Sequence, residues 1–256
     1  MATEKTIRPV RASDLLSLDE RLTVKVLDCY ADPERATWQA GKNDYSEVPI
    51  HEVKPLKREE AGKWIVDHLL SGEKGHYGPL EHPQITLSCA GYVHSVIVQA
   101  RTHRIGTSWD VQSQRYTGKR VLRVADREID VEDVFYIRPP GLYTNRQGKK
   151  YEWTKENIED KRGKIILACE DYAKDYKNGC SEEHIRDYLP QGIRQNFVVS
   201  FNLRSVLHFM DLRSKLDAQL EIEALCEQFI PILKDWAPSV WGYYEAKRLH
   251  KARLSP

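Results

Sequence analysis

A mixed α/β (α+β) fold is predicted for this chain, with residues 1–256 forming a single domain. Two patterns in the sequence predict it: short apolar runs that alternate with a period of two, and longer stretches whose apolar residues recur every three to four positions. A third observation concerns organisation. The chain has no internal repeat, linker or low-complexity tract that would divide it.

The elements follow in order. Thr23 to Tyr30, TVKVLDCY, alternates as a strand, whereas Asp32 to Val53 is polar and turn-rich and supports no assignment. From Pro55 to Leu70 the residues Ala61, Trp64, Ile65 and Leu69 recur at helical spacing; Gly72 and Gly75 supply a stop, so a helix ending near Ser71 is expected. Gly75 to Pro83, GHYGPLEHP, is too rich in Gly and Pro to be regular and reads as a shaped loop. A strand follows from Pro83 to Ala90, with Ile85, Leu87 and Cys89 on one face. Beyond Gly91 the spacing turns helical through Val93, Val96, Ile97 and Ala100, and the end of that helix projects Arg101, His103 and Arg104. Residues 105–118 form a second shaped segment, and Lys119 to Ala125 alternate in a way that suits another strand. Glu156 to Asn178 is a long amphipathic helix closed by Gly179, and Ser181 caps a short helix that Pro190 ends. Asn196 to Phe201 reads as a strand, Arg204 to Arg213 as a helix, and Ala218 to Trp236 as a helix disturbed at Pro231.

Composition narrows the function. The chain of 256 residues is 41% hydrophobic and 30% charged, which excludes a disordered protein and provides a sizeable core. Lys and Arg number 39 against 38 Asp and Glu, a net charge of +1, so nothing attracts nucleic acid or anionic membrane in bulk and any anion must meet a built site. No run approaches the roughly 18 apolar residues of a membrane span, and Met1 to Arg8 has no apolar stretch behind it. The five cysteines, Cys29, Cys89, Cys169, Cys180 and Cys226, are odd in number and far apart, and read as reduced thiols of a cytoplasmic protein.

Three groups of residues could carry chemistry. Arg104, Arg115, Lys119, Arg120 and Arg123 surround Trp109 and Tyr116, a stretch able to hold a phosphate and stack a base, or else a solvated basic strand over aromatic core residues. His76, Glu81 and His82 have the composition of a metal pair, but no third and fourth ligand stands nearby, and His82 beside Pro83 suits a structural role; no metal is expected. Ser113 lacks the G-x-S-x-G elbow of a hydrolase nucleophile and is better placed as a hydroxyl donor to a ligand. The third group is Asn202, Arg204, Ser205, His208, Arg213, Gln219 and Glu221. Arg204 and His208 share a helix face, whereas Arg213 lies nine residues beyond Arg204, half a turn round, and serves a different surface or subunit. An interhelical ion pair of Arg204 with Glu221 is the plainer alternative.

Three stretches resemble the flavin-dependent thymidylate synthases: GHYGPLEH (75–82), QARTHRIGTSWDVQSQRY (99–116), and IRDYLP (185–190) with NLRSVLHFMDLRSKLDAQLEI (202–222). The middle stretch is similar to the family signature R-H-R, seven residues, S-x-R. It departs in two ways, with Thr102 in place of the first Arg and eight residues between Arg104 and Ser113. Arg194 and Gln195 stand where a Tyr-Thr pair is common in the family, and Asp217 where His is common.

The resemblance implies an enzyme that converts dUMP to dTMP with 5,10-methylenetetrahydrofolate as carbon donor, NADPH as reductant and bound FAD, without a cysteine nucleophile. It implies a central, mainly antiparallel sheet flanked by helices, and a homotetramer with sites at subunit interfaces. It further implies that His76, Glu81, His103, Arg104, Ile105, Asn202, Arg204 and His208 bind the flavin, and that Gln99, Ser113, Gln114, Arg115 and Arg186 hold dUMP. Arg213 would sit at the uracil and, with His76, serve catalysis. The rival from another class is a non-catalytic nucleotide- or RNA-binding module using residues 104–123; a metal hydrolase built on His76 and His82 ranks last.

Overall fold

A computed structural model of the protein describes residues 8–72, 75–215 and 217–251. The charged start up to residue 7 and Leu216 of the last motif lie outside them. In chain order the elements are α1 (Ala12–Leu18), β1 (Thr23–Cys29), α2 (Pro33–Asn43), α3 (Arg58–Ile65), β2 (Gln84–Val93), α4 (His94–Ala100), β3 (Thr107–Val111), α5 (Lys119–Ala125), β4 (Gly141–Thr144), β5 (Lys150–Trp153), α6 (Lys155–Lys177), α7 (Glu182–Ile185), β6 (Arg194–Asn202), α8 (Leu203–Arg213), α9 (Leu220–Trp236) and α10 (Pro238–Lys247). The mixed α/β fold with an antiparallel sheet, expected from the sequence, is what the chain adopts.

The chain divides into two compact units. Among the described residues, unit 1 comprises 8–23, 90–99 and 111–196, and unit 2 comprises 24–72, 75–89, 100–110, 197–215 and 217–251. Strands β1, β2, β6 and β3 make a four-stranded sheet in that order, and the hairpin of β4 and β5 pairs Gly141 with Trp153 and Thr144 with Lys150. Within unit 2, Thr86 Oγ1 on β2 meets Ser200 Oγ on β6 at 2.9 Å; within unit 1, Gly91 N donates to Asn196 Oδ1 at 3.2 Å, so the two strands run in opposite directions.

Unit 2 buries one face of β2, with Ile85, Leu87 and Cys89 at 1% exposure or less, as the alternation predicts. Phe201, Phe209 and Phe229 meet ring to ring at 5.4–6.0 Å. Fully buried side chains of this kind contribute about 1.5–3 kcal/mol each, so this aromatic cluster anchors α8 and α9 firmly. The core of unit 1 joins Val121 and Val124 of α5 to Ile165, Cys169 and Tyr172 of α6.

Several elements differ from the expectation, each for a local reason. Lys119–Ala125 is the helix α5, not a strand. Val121 and Val124 are both buried, and a spacing of three puts them on one side of a helix but on opposite sides of a strand. The segment 105–118 contains strand β3, in which Thr107, Trp109 and Val111 alternate with exposed Ser108 and Asp110. Residues 33–43, left unassigned, form α2: Asp32 caps it by accepting from Arg35 N at 2.9 Å, and Pro33 opens it. Its inner face is Glu34, Thr37, Trp38 and Gly41, at helical spacing but mostly polar or small, so hydrophobic periodicity does not register it. Pro231 lies inside α9 without ending it and is exposed. Helices α1 and α10 and the β4–β5 hairpin were not anticipated. Helix α10 starts on Pro238, and buried Glu34 accepts from Ser239 N at 2.6 Å, Val240 N at 3.0 Å and Ser239 Oγ at 3.2 Å, satisfying its first turn. Helix α3 continues into a wide π-helical turn over Val66–Leu70 that ends at Ser71, where the stop was expected.

Candidate active site

Two motifs of unit 2 converge on α8. In the loop 75–82, His76 Nε2 lies 3.1 Å from the Asp44 carboxylate and its Nδ1 is 3.2 Å from Tyr45 Oη. The carboxylate can only accept, which puts the ring proton on Nε2 and leaves Nδ1 to accept from the phenol. Farther along the loop, Glu81 takes a 2.6 Å hydrogen bond from Arg204 Nη1, and the Arg204 guanidinium stands 5.8 Å over the ring of Tyr77. This corrects the alternative pairing of Arg204 with Glu221: the buried Glu221 carboxylate instead accepts from Gln219 Nε2 at 2.8 Å.

The signature segment after α4 is pinned to the first turn of α8. Asn202 caps that helix, its Oδ1 accepting from Ser205 N at 2.8 Å, and Ser205 Oγ donates to Ile105 O at 2.7 Å. Gly106 adopts φ +65°, and a Cβ there would land on Ser205 Oγ and Asn202 Nδ2. The tight junction holds Arg104 outward and leaves Ile105 85% exposed.

His103 turns the other way. The sequence suggests that it projects with Arg101 and Arg104, but it is 9% exposed, with ring centroids 5.5 Å from His208 and 5.0 Å from Phe209. Arg213 Nε donates to His103 Nε2 at 3.1 Å, and Arg213 Nη2 donates to Thr102 Oγ1 at 3.1 Å. Burial, then the charge of Arg213, then His208 push the His103 imidazole down to about 4. The ring is therefore neutral at pH 7 with Nε2 as acceptor and the proton on Nδ1. Burial also lowers the pKa of Arg213, though a guanidinium, which starts far above neutrality, stays a cation. Arg204 and Arg213 thus serve different partners from opposite sides of α8, as their nine-residue spacing predicts.

Unit 1 carries the second set. Ser113 opens a turn in which its carbonyl accepts from Tyr116 N at 3.2 Å and Thr117 Oγ1 at 2.9 Å. Arg115 is exposed, with its guanidinium 5.8 Å over the Tyr116 ring and its Nε 3.1 Å from Glu183. Glu183 belongs to α7, one turn before the exposed Arg186. Gln99 and Gln114 are half-buried, Gln99 on the last turn of α4 and Gln114 in the turn. Of the residues expected to hold substrate, Arg213 alone belongs to unit 2.

The family model of the thymidylate synthase complementing proteins matches residues 25–239. A flavin-dependent thymidylate synthase from Haloarcula marismortui is 32% identical over 253 residues, covering 92% of this chain and all of the relative. The chain belongs to the flavin-dependent thymidylate synthase family. A second such synthase, from Halobacterium salinarum, is 30% identical over 92% of this chain and all of its own length. Among solved structures, a UMP/dUMP methylase, PolB, from Streptomyces cacaoi bound with 5-Br dUMP superposes with a TM-score of 0.70 at 20% identity, covering 92% of this chain and 97% of that one. ThyX from Helicobacter pylori, solved with FAD and dUMP, gives a TM-score of 0.62 at 17% identity, covering 82% and 92%. The last two show that the fold is shared.

As a flavin-dependent thymidylate synthase, the chain presents a donor set that fits a flavin dinucleotide. The guanidiniums of Arg104 and Arg204 and the imidazole of His208 suit a diphosphate, and Ile105, held out to solvent by a rigid junction, suits a flat apolar ring system. Sequence reasoning missed the supports: Asp44 and Tyr45 behind His76, Tyr77 under Arg204, and Thr102, which it treated only as a departure. An Arg at 102 would bring a second guanidinium up to Arg213, whereas the Thr hydroxyl accepts from it. Arg194 is structural, 3% exposed, donating to Asp19 Oδ2 at 2.5 Å, Gly91 O at 2.9 Å and Glu132 O at 2.8 Å. Its neighbour Gln195 accepts at Oε1 a 2.7 Å hydrogen bond from His94 Nδ1. His82 is exposed, and no group of three or more His, Cys, Asp or Glu able to hold a metal stands among the described residues.

Proposed function

We propose that this chain methylates dUMP to dTMP, taking the carbon from 5,10-methylenetetrahydrofolate and the reducing equivalents from NADPH through bound FAD, as a cytoplasmic homotetramer with sites at subunit interfaces. The observation that carries the reading is the Thr102–His103–Arg213 arrangement, in which a cation is fixed by two neutral acceptors. Neither of these two acceptors is an anion, and a guanidinium held against them is suited to stabilise the negative charge that develops on a uracil ring.

His76, Glu81, His103, Arg104, Ile105, Asn202, Arg204 and His208 would hold FAD, which when bound supplies the hydride chemistry. The residues of the chain bind and orient. Gln99, Ser113 and Gln114 offer amide and hydroxyl groups to the nucleotide, and Arg115 and Arg186 offer guanidinium forks to its phosphate, for which the dianion displaces Glu183. His76, with both ring nitrogens engaged by Asp44 and Tyr45, would serve catalysis by its fixed position beside the flavin rather than by proton transfer.

No thiolate is needed, and the cysteines support this. Burial raises the thiol pKa of Cys89 and Cys226 and pushes Cys169 up to about 12, so these remain protonated at neutral pH; Cys29 and Cys180 are exposed.

The test is the absorption spectrum of the purified protein, followed by anaerobic addition of NADPH with and without dUMP. Flavin bands that bleach faster with dUMP, and dTMP formed when the folate is added, are expected. A colourless protein that takes up no FAD overturns the reading.

A further inference from the structure

Unit 2 contains a cavity of about 410 Å³ between the far side of α8 and the end of α10. Its floor is aliphatic, from Leu80, Leu207 and Val240, and its walls carry the rings of Tyr77, Tyr243 and Tyr244. Four cations line it: Arg204, Lys247, Arg248 and Lys251. One carboxylate, Asp211, does so as well.

The parts are fixed by bonds of their own. The buried Asp211 carboxylate accepts from Arg248 Nη2 at 2.7 Å and from its Nε at 3.3 Å, and Tyr243 Oη donates to Leu70 O at 2.9 Å. Asp211 balances Arg248, and Glu81 balances Arg204. Lys247 and Lys251 have no ion pair among the described residues, although the Lys251 ammonium also donates to Ala246 O. The cavity therefore offers two uncompensated positive charges above an aromatic and aliphatic slot. Its size falls toward the lower end of the roughly 300–1,000 Å³ of ligand pockets, which suits a mononucleotide half rather than a whole dinucleotide.

We propose that this cavity binds the 2′-phosphoadenosine end of NADPH, with the base against the tyrosines and the 2′-phosphate on Lys247 and Lys251. A planar base matches the rings, and a phosphate dianion matches two ammonium groups. The same lysines supply the discrimination of NADPH from NADH, which lacks that phosphate. This inference rests on the reading that NADPH is the reductant.

The test is calorimetric titration of the full-length protein as purified with 2′,5′-ADP and with ADP, in the wild type and in the double variant Lys247→Ala/Lys251→Ala. Both lysines are exposed, Lys247 at the end of α10 and Lys251 in the turn after it, so the variant keeps its core. Binding of 2′,5′-ADP to the wild type, at least tenfold weaker in the variant and weaker for ADP than for 2′,5′-ADP, is expected. In flavin-bleaching assays the variant's KM for NADPH then rises about tenfold with turnover at saturation kept, while its KM for NADH does not move. No binding of 2′,5′-ADP, equal binding by wild type and variant, or equal affinity for ADP and 2′,5′-ADP overturns the assignment. A wild type that binds 2′,5′-ADP in the expected way but never bleaches with NADPH counts instead against the catalytic reading, so the two failures are separable.

Discussion

Acidification should weaken this protein through one imidazole. The His103 ring ordinarily titrates at 6.5 and in the fold at about 4, so between these values the unfolded chain binds a proton that the folded one refuses. Stability is then fully present above pH 6.5 and is lost as pH falls toward 4. Linkage gives a loss of about 2 kcal/mol between pH 7 and pH 5 and about 3 kcal/mol by pH 4. Carboxylates titrate over the same range, so the informative quantity is a difference between proteins. In His103→Gln the side-chain amide oxygen takes the place of Nε2 as acceptor for Arg213 Nε and cannot titrate. Urea unfolding of both proteins at pH 7 and pH 5 should show the wild type losing about 2 kcal/mol more than the variant. Equal losses would refute the claim that His103 is buried neutral against Arg213. A companion NMR titration places the cause: Arg213→Met raises the His103 pKa only part of the way to 6.5, because burial, the larger influence, remains.

Three further outcomes are expected. Arg213→Ala should stay folded and keep its flavin yet form no dTMP, and unchanged turnover would refute a role at the uracil. Gly62→Ala should destabilise by about 3 kcal/mol in chemical denaturation, because its Cβ would collide with Ser239 Oγ and come within 2.6 Å of Glu34 Oε2, displacing the carboxylate that caps α10. Arg194→Met should cost about 3 kcal/mol by taking buried donors from Gly91 O, Glu132 O and Asp19, which keeps the longer 3.6 Å pair with Arg21; a change under 1 kcal/mol would show that these bonds do not hold unit 1 together.

The strands and the long helices were legible in the sequence because their buried faces are aliphatic or aromatic: β2 through Ile85, Leu87 and Cys89, α6 through Ile165, Cys169 and Tyr172. Helix α2 was not, since it turns Glu34 and Thr37 inward, and the partners of Glu34, Ser239 and Val240, lie about 200 residues away where no local pattern reveals them. Helix α5 was misread because seven residues are too few for a period of two to be told from one of 3.6. At the site, residue types and order identified Arg204, Arg213 and His103 as candidates, and the resemblance gave them roles. Their pairings, Arg204 with Glu81 and Arg213 with His103 and Thr102, are long-range contacts fixed only when α8 docks.

The junction at Gly106 has a consequence for how this protein can change over generations. A side chain at 106 needs the space now filled by Asn202 and Ser205, and those two residues in turn close the first turn of α8 and tie down Ile105. No single substitution at 106 leaves the neighbours as they are. Positions 106, 202 and 205 are bound into one inheritable unit, and a lineage that refashions the loop before β3 has to rebuild the start of α8 in the same step.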